Sequence, residues 1–110
     1  MKIHLIKRQT IINFIAKNQQ SKAGFDDWLY KVKHSDWSNT NNVKETFSSA
    51  DFIGKSTDRV IFDIGGNKYR MICKYYFGTK NVHISIKWIG THAEYDKICK
   101  AEKQYTINKY

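Results

Sequence analysis

The first half of the chain combines one short alternating segment with several helical patterns. Residues 1–6 alternate loosely between apolar and polar side chains and predict a short strand. Thr10, a good N-cap residue, precedes apolar positions at helical spacing, and a second such pattern begins at Ser21. Residues 41–47 predict a third, short helix capped by Asn41 or Asn42. This half is therefore expected to be mainly helical.

The second half reads as strands followed by one more helix. Three β-like runs, 59–64, 68–77 and 82–89, are separated by the turn signals Gly65-Gly66-Asn67 and 78–81. After Gly90, the segment Thr91-His92-Ala93-Glu94 fits a capping box that opens a helix running beyond Cys99. The pattern predicts an α+β fold: N-terminal helices on a small antiparallel sheet, made of a three-stranded meander plus a short N-terminal strand, with a C-terminal helix.

Period-two alternation sorts the strand residues into two faces of the sheet. The face expected to pack against the helices carries Tyr69, Met71, Cys73, Tyr75, Val82, Ile84, Ile86 and Trp88. The opposite face carries Arg70, Lys74, His83, Ser85 and Lys87. The sheet is thus expected to have one apolar face and one basic face.

Composition and charge narrow the class of protein. The 110 residues fit one domain, 1–110, and carry a formal net charge of +9, which favours a polyanion or an acidic protein as partner. Residues 59–110 hold ten basic and four acidic side chains, so the β-rich half carries most of the excess. No apolar run is long enough to span a membrane, and the charged start does not fit a signal peptide. With only two cysteines, Cys73 and Cys99, a reducing cytoplasmic location is expected.

A basic sheet face beside a histidine suits the chemistry of metal-free RNA cleavage. That reaction needs a base for the 2′-OH, positive charge on the phosphorane and a proton for the leaving 5′-oxygen. Arg70, Lys74, Lys87, His92 and Tyr95 are candidates for these roles. On composition alone, a solvated face, or a face that binds without cutting, is the favoured explanation of the charges. Zinc is not expected, because His4, His34 and His83 lack metal-ligand spacing.

Three segments of the second half resemble a known family. They are Arg59-Val60-Ile61-Phe62-Asp63-Ile64, Gly66-Asn67-Lys68-Tyr69-Arg70 and Gly90-Thr91-His92-Ala93-Glu94-Tyr95-Asp96-Lys97-Ile98. In this order and spacing they resemble the HigB-type toxins of bacterial type II toxin–antitoxin systems, within the RelE/ParE superfamily. The helix around Trp28 and the Ser35-Asp36-Trp37 segment occupy similar places, so the resemblance covers nearly the whole chain.

The resemblance implies a RelE/ParE-like fold and an mRNA interferase, an endoribonuclease that inhibits translation by cutting mRNA, in many relatives on the ribosome. It implies neutralisation by a helix-turn-helix antitoxin (HigA-type), and a toxin–antitoxin complex that binds operator DNA. It also implies that no metal or other cofactor is needed, since the wider family uses the 2′-OH of the RNA as nucleophile.

The resemblance also assigns residues. Arg70, His92 and Tyr95 are expected to be catalytic, with Arg70 on the phosphate charge and the other two in proton transfer or base stacking. Arg59, Lys74 and Lys87 are expected to bind RNA, although relatives often carry Arg at the position of Lys87. Asn67 is expected in the turn, and Asp96 on the helix surface or beside an Arg. The alternative is a toxin or basic binding module that does not cut, such as a ParE-like gyrase poison or an RNA-binding protein.

Overall fold

The computed structural model describes residues 1–110 and confirms the α+β class. The first half contains β1 (Lys2–Ile6), α1 (Arg8–Lys17), a 3-10 turn (Gln19–Ser21), α2 (Lys22–Lys33) and α3 (Thr40–Thr46). The second half contains β2 (Asp51–Ile53), β3 (Arg59–Ile64), β4 (Tyr69–Phe77), β5 (Asn81–Thr91) and α4 (His92–Lys100). No helix is both long and apolar enough to cross a membrane.

The sheet is larger than the predicted meander, and it is mixed. Its five strands lie in the order β1-β5-β4-β3-β2. The meander β3-β4-β5 is antiparallel as predicted, and β2 adds a further antiparallel strand at one edge. At the other edge β1 pairs with β5 in parallel, because α1 to β4 form the long crossover that a parallel pair requires. The sequence did not reveal β2, since three residues are too few for a periodic signal.

Two predicted helix starts shift by a few residues. Helix α1 begins at Arg8, two residues before Thr10. Helix α3 is capped by Asn39, whose side-chain oxygen accepts from the backbone N–H of Asn42 at 3.1 Å. Asn42 is not the cap because its own side-chain oxygen accepts from the backbone N–H of Ser38 at 2.8 Å. Asn39 is thus the residue that satisfies an otherwise unpaired helix donor.

The three N-terminal helices pack on one side of the sheet, which we call the first face. Ile11 of α1 and Phe25, Trp28 and Val32 of α2 are buried there against alternate residues of the strands. Those strand residues are Val60, Phe62, Ile64, Tyr69, Met71, Cys73, Val82, Ile84, Ile86 and Ile89. The prediction of an apolar face under the helices is therefore confirmed, with one exception.

The exception is Trp88, whose predicted face is wrong. The β4–β5 pairing places Cys73 opposite Ile86 but the preceding Ile72 opposite Trp88, so Lys87 is an extra residue in β5. Such a bulge shifts the alternation by one residue and moves every later side chain to the other face. Trp88 consequently lies on the second face, and Ile89 replaces it in the main core.

The second face is the one with the basic residues, and part of it is covered. Ile61, Ile72 and Trp88 form a small buried cluster there, packed against Tyr95 and Ile98 of α4. Ile107 also packs on this cluster; it belongs to residues 101–110, which follow α4 and which we call the C-terminal tail. The backbone N–H of Lys109 donates to the carbonyl of Lys87 at 2.9 Å, so the tail returns across the sheet to β5. The basic residues therefore surround an apolar centre.

Candidate active site

The β3–β4 turn places a carboxylate beside Arg70. Gly65 and Gly66 have φ of +64° and +69°, a conformation that favours glycine, and they reverse the chain so that Asp63 pairs with Arg70. The Nε atom of Arg70 lies 3.1 Å from Oδ1 of Asp63. The register of the hairpin, set by the turn, thus creates this ion pair on the second face.

Two further oxygens fix the guanidinium of Arg70. Its Nη2 atom donates to Oδ1 of Asn67 at 2.5 Å, and its Nη1 atom donates to the carbonyl of Tyr69 at 3.3 Å. Asn67 therefore holds Arg70 in addition to shaping the turn. Three of the five guanidinium N–H groups are used, so one on each terminal nitrogen remains to donate to a ligand. An arginine held in this way can bind two phosphate oxygens without first being ordered.

His92 is the first residue of α4 and is positioned through its backbone and its side chain. The preceding Thr91 accepts from the N–H of Glu94 at 3.2 Å, and the Glu94 carboxylate accepts from the N–H of Thr91 at 2.8 Å. This is the predicted capping box. The backbone N–H of His92 donates to the carbonyl of Lys68 at 3.0 Å, which ties the helix start to the turn just before β4, two residues from Arg70.

The ring of His92 pairs with Asp96, one turn later on α4. The Nδ1 atom lies 3.1 Å from Oδ2 of Asp96, so Asp96 contacts the histidine and not an arginine. With Nδ1 donating to this carboxylate, Nε2 is the nitrogen that can accept a proton from a ligand. The side chain of His92 is 40% exposed, so a ligand can reach it.

Tyr95 lies between the apolar cluster and Arg70. Its ring is tilted against the indole of Trp88, with 6.2 Å between the ring centroids. Burial is the main cause that raises the pKa of its hydroxyl above the usual value, with additional effects of the Cys99 thiol and of Asp51; Arg70 acts in the opposite direction. The hydroxyl therefore remains protonated at neutral pH and can serve as a hydrogen-bond donor.

Lys74 and Lys87 lie on the second face beyond the apolar cluster, seen from Arg70. Lys74 is exposed, and Lys87 is half-buried at the bulge. Burial lowers the pKa of Lys87, and repulsion from Arg59, Lys7 and Lys74 lowers it further. Since Lys74 follows Arg70 by four residues of β4, about 13 Å separates the two positions along the strand. The sheet thus carries two groups of basic residues.

Arg59 does not belong to the open part of either group. It is only 7% exposed, and its Nη1 atom donates to the carbonyls of Gln104, at 3.2 Å, and of Ile107, at 2.8 Å. Burial lowers the pKa of this guanidinium. In this structure Arg59 holds the C-terminal tail and does not face solvent.

The structure brings Arg70, His92 and Tyr95 to the turn end of the second face and adds two residues that were not given these roles. The sequence carries a signal for both residues. Asp63 lies opposite Arg70 when the strands are paired across the glycine turn, and Asp96 follows His92 by four residues on one helix. No group of three or more His, Cys, Asp or Glu side chains is placed to hold a metal ion. We call Arg70, His92 and Tyr95, with Asp63 and Asp96, the candidate active site.

Comparison with known proteins identifies the class. Residues 21–98 match the model of a family described as the RelE-like toxic component of a toxin–antitoxin system, HigB toxin. The chain is also similar to the mRNA interferase HigB of Escherichia coli O6:H1 (strain CFT073), with 33% identity over 73 residues that cover 66% of this chain and 69% of that protein. The chain belongs to the HigB toxin family. The resemblance inferred from the three segments is thereby confirmed.

Proposed function

We propose that this toxin is an mRNA interferase, a ribonuclease that cuts mRNA and so inhibits translation. The observation that supports it is the candidate active site, where the pairing of Arg70 with Gly90 puts a fixed guanidinium near the start of α4. That helix carries an imidazole paired with a carboxylate and a phenol that feels the charge of Arg70. The similarity to an mRNA interferase of E. coli supports the same assignment. A protein that only binds its target would not need the oriented imidazole.

Arg70, His92 and Tyr95 each have one role in the proposed reaction. Nε2 of His92 accepts the proton of the 2′-OH, and the resulting oxyanion attacks the adjacent phosphorus. The two remaining N–H groups of Arg70 stabilise the charge on the phosphorane oxygens. The phosphorus–O5′ bond then breaks, and Tyr95 donates its proton to the leaving 5′-oxygen. The products are a 2′,3′-cyclic phosphate and a free 5′-OH, and no step uses a metal ion.

The second group of basic residues would bind the RNA on one side of the scissile phosphate. Lys74 is exposed on the strand that carries Arg70, so its ammonium could contact an RNA that leaves the site over the C-terminal tail. Lys87 would assist in binding a phosphate through its charge alone, since lysine cannot make the bidentate contact that arginine makes. Arg59 would act indirectly, by holding the C-terminal tail in place.

The partners of the toxin follow from its class. As a toxin of a toxin–antitoxin system it has a cognate antitoxin. We propose that this antitoxin is a helix-turn-helix protein of the HigA type, and that the complex binds operator DNA. We further propose that the toxin acts in the cytoplasm on mRNA engaged by the ribosome, whose RNA would attract the net charge of +9.

The proposal is tested by inducing the toxin and mapping 5′ ends of cellular mRNA. Wild type is compared with Arg70→Ala and His92→Ala, and Lys44→Ala is the control because Lys44 is exposed on α3, on the other side of the sheet. Discrete new 5′ ends are expected for wild type and for Lys44→Ala, and loss of these ends for the other two variants. Growth arrest with intact mRNA would contradict the nuclease and favour a toxin that does not cut.

A further inference from the structure

An exposed tyrosine lies on the second face at the end farthest from the candidate active site. Tyr76 is 67% exposed, although its neighbours in β4, Tyr75 and Phe77, pack into the core on the first face. Its position follows from the alternation of β4, which puts Arg70, Ile72, Lys74 and Tyr76 on the same face. A large aromatic side chain is therefore presented to solvent in line with Arg70.

The Tyr76 ring contacts its cross-strand neighbour through one of its faces. It stacks on the ring of His83, with 6.0 Å between centroids and 26° between planes. His83 is in turn held by His4 of β1, since the two Nδ1 atoms lie 3.2 Å apart and one can donate to the other. One face of Tyr76 is thus occupied, and the other is free to stack on a flat partner.

The surroundings of this aromatic pair are basic. The nearby second-face positions of β1, β4 and β5 carry Lys2, His4, Lys74, His83, Ser85 and Lys87, and no Asp or Glu. Two carboxylates lie at the margin of this surface, Asp58 beside Tyr75 and Asp36 near Lys2. An exposed aromatic ring beside several lysines suits a single-stranded nucleic acid, whose bases stack on the ring while its phosphates contact the lysines. An acidic protein segment would also meet the lysines, but it would leave the free ring face without a stacking partner.

We propose that Tyr76 and His83 form a stacking platform for a base of single-stranded RNA, outside the candidate active site. The proposal rests on the proposed function, because the platform would hold the part of the same RNA chain that leaves Arg70. Tyr76 follows Arg70 by six residues of one strand, a distance of about 20 Å. The direct line between them is covered by α4 and the C-terminal tail, which pack over Ile72. The RNA would therefore pass over the tail and contact Lys74, which is exposed beyond it. The platform would therefore contribute to binding and not to the chemical step.

The first test measures binding of a 12-nucleotide RNA by the full-length protein. The RNA carries 2′-O-methyl groups, which remove the nucleophile, and a fluorescent label for anisotropy. Tyr76→Ala is expected to weaken binding about tenfold through loss of base stacking, and Tyr76→Phe to stay within about twofold. Tyr30→Ala is the matched control, because Tyr30 is 64% exposed and its ring is tilted against that of His34, but it lies on α2, which packs on the first face.

The second test separates stacking from charge and from catalysis. Tyr76→Ala should leave the salt dependence of binding unchanged, whereas Lys74→Ala should reduce the slope of log K against log salt by about 0.7. In cleavage of unmodified RNA, Tyr76→Ala should raise KM and leave kcat unchanged. A lower kcat at unchanged KM would overturn the placement of Tyr76 outside the active site.

The outcomes distinguish this proposal from the proposed function. If wild type binds and cuts RNA and Tyr76→Ala binds it equally well, the platform is wrong and the nuclease stands. If Tyr76→Ala loses the antitoxin but keeps RNA, the surface belongs to a protein partner and the platform is again wrong. If wild type neither binds nor cuts RNA, both proposals fail together.

Discussion

The guanidinium of Arg59 donates to the main-chain carbonyl of Ile107 at 2.8 Å, which links the first residue of β3 to the C-terminal tail. The same Nη1 atom also donates to the carbonyl of Gln104. Ile107 packs on the apolar cluster of Ile61, Ile72 and Trp88, so the contact with Arg59 also holds the tail over this cluster. Arg59, although it belongs to the basic face, thus stabilises the fold by holding the C-terminal tail.

Replacing Arg59 should therefore affect stability before it affects RNA binding. For Arg59→Ala we expect the free energy of unfolding to fall by about 2 kcal/mol, since two carbonyls lose a charged donor in a buried place. Urea unfolding measures this loss, and exchange of the Lys109 amide, which donates to Lys87, should become faster. Lys44→Ala is the control for removing one charge. A change below about 0.5 kcal/mol would show that the tail is held by its apolar contacts alone.

The ion pair of Asp63 with Arg70 predicts coupled effects on cleavage. Asp63→Ala removes the carboxylate 3.1 Å from Nε of Arg70 and should lower kcat about tenfold, because the guanidinium is then less well oriented. Arg70→Ala should lower kcat further. The double variant should be no slower than Arg70→Ala, since residues that act as a unit are not additive. Fully additive losses, measured in single-turnover cleavage of an RNA oligonucleotide, would mean that Asp63 acts independently of Arg70.

Much of the fold was predictable because it depends on local patterns. The capping box at Thr91, the glycine turn after Ile64 and the alternation of β4 each reflect interactions between residues close in the chain. The strand β2 and the parallel pairing of β1 with β5 depend on contacts between distant residues, for which one sequence carries no signal. The bulge at Lys87 could not be predicted either, because apolar and polar residues alternate without interruption from Val82 to Trp88.

The site was predictable in its residue types and less so in its contacts. Arg70, His92 and Tyr95 lie together because the register of β4 and β5 places Arg70 opposite Gly90, just before α4. The burial of Arg59 was not predictable, since it depends on the path of the tail after α4. Tyr76 was also missed, because an aromatic residue in a strand is expected in a core until its exposure is known.

The buried thiol of Cys73 predicts a loss of stability at alkaline pH. Burial raises its pKa far above the value of about 8.5 found in unfolded chains, so between those two values the folded state binds more protons than the unfolded state. The free energy of unfolding should therefore fall as pH rises above about 8.5, by at most about 1.4 kcal/mol per pH unit. Urea unfolding under reducing conditions at pH 7.5, 8.5 and 9.5 measures the slope.

The contribution of Cys73 is isolated by comparing cysteine variants. Cys73→Ala should be less stable at pH 7.5 because of the cavity, but it should lose less stability between pH 8.5 and 9.5 than wild type. Cys99→Ala, which removes the other, partly buried thiol, is measured in parallel for comparison. An identical slope in Cys73→Ala would assign the alkaline loss to other groups.

A side chain at position 90 is expected to disturb the candidate active site through Trp88. A Cβ atom at this position would overlap the indole ring of Trp88, and it would lie 3.0 Å from the Glu94 carboxylate of the capping box. Gly90→Ala should therefore cost about 1–3 kcal/mol of unfolding free energy and move Trp88. Since Tyr95 packs on that ring, cleavage should also slow. The displacement is measured as a shift of one of the three indole N–H resonances.

Two further variants decide whether the cause of the Gly90→Ala effect is the overlap. Gly66→Ala meets no atom within 4 Å but has φ of +69°, so it should cost about 1–2 kcal/mol without shifting the Trp88 indole signal. Trp88→Phe removes the indole atoms that the Cβ at position 90 would meet. Trp88→Phe should therefore cost less stability when it is introduced into Gly90→Ala than when it is introduced into wild type. If the stability losses of Gly90→Ala and Trp88→Phe are additive in the double variant, overlap with the indole is not the reason for glycine at position 90. The slower cleavage would then arise from disturbance of the capping box.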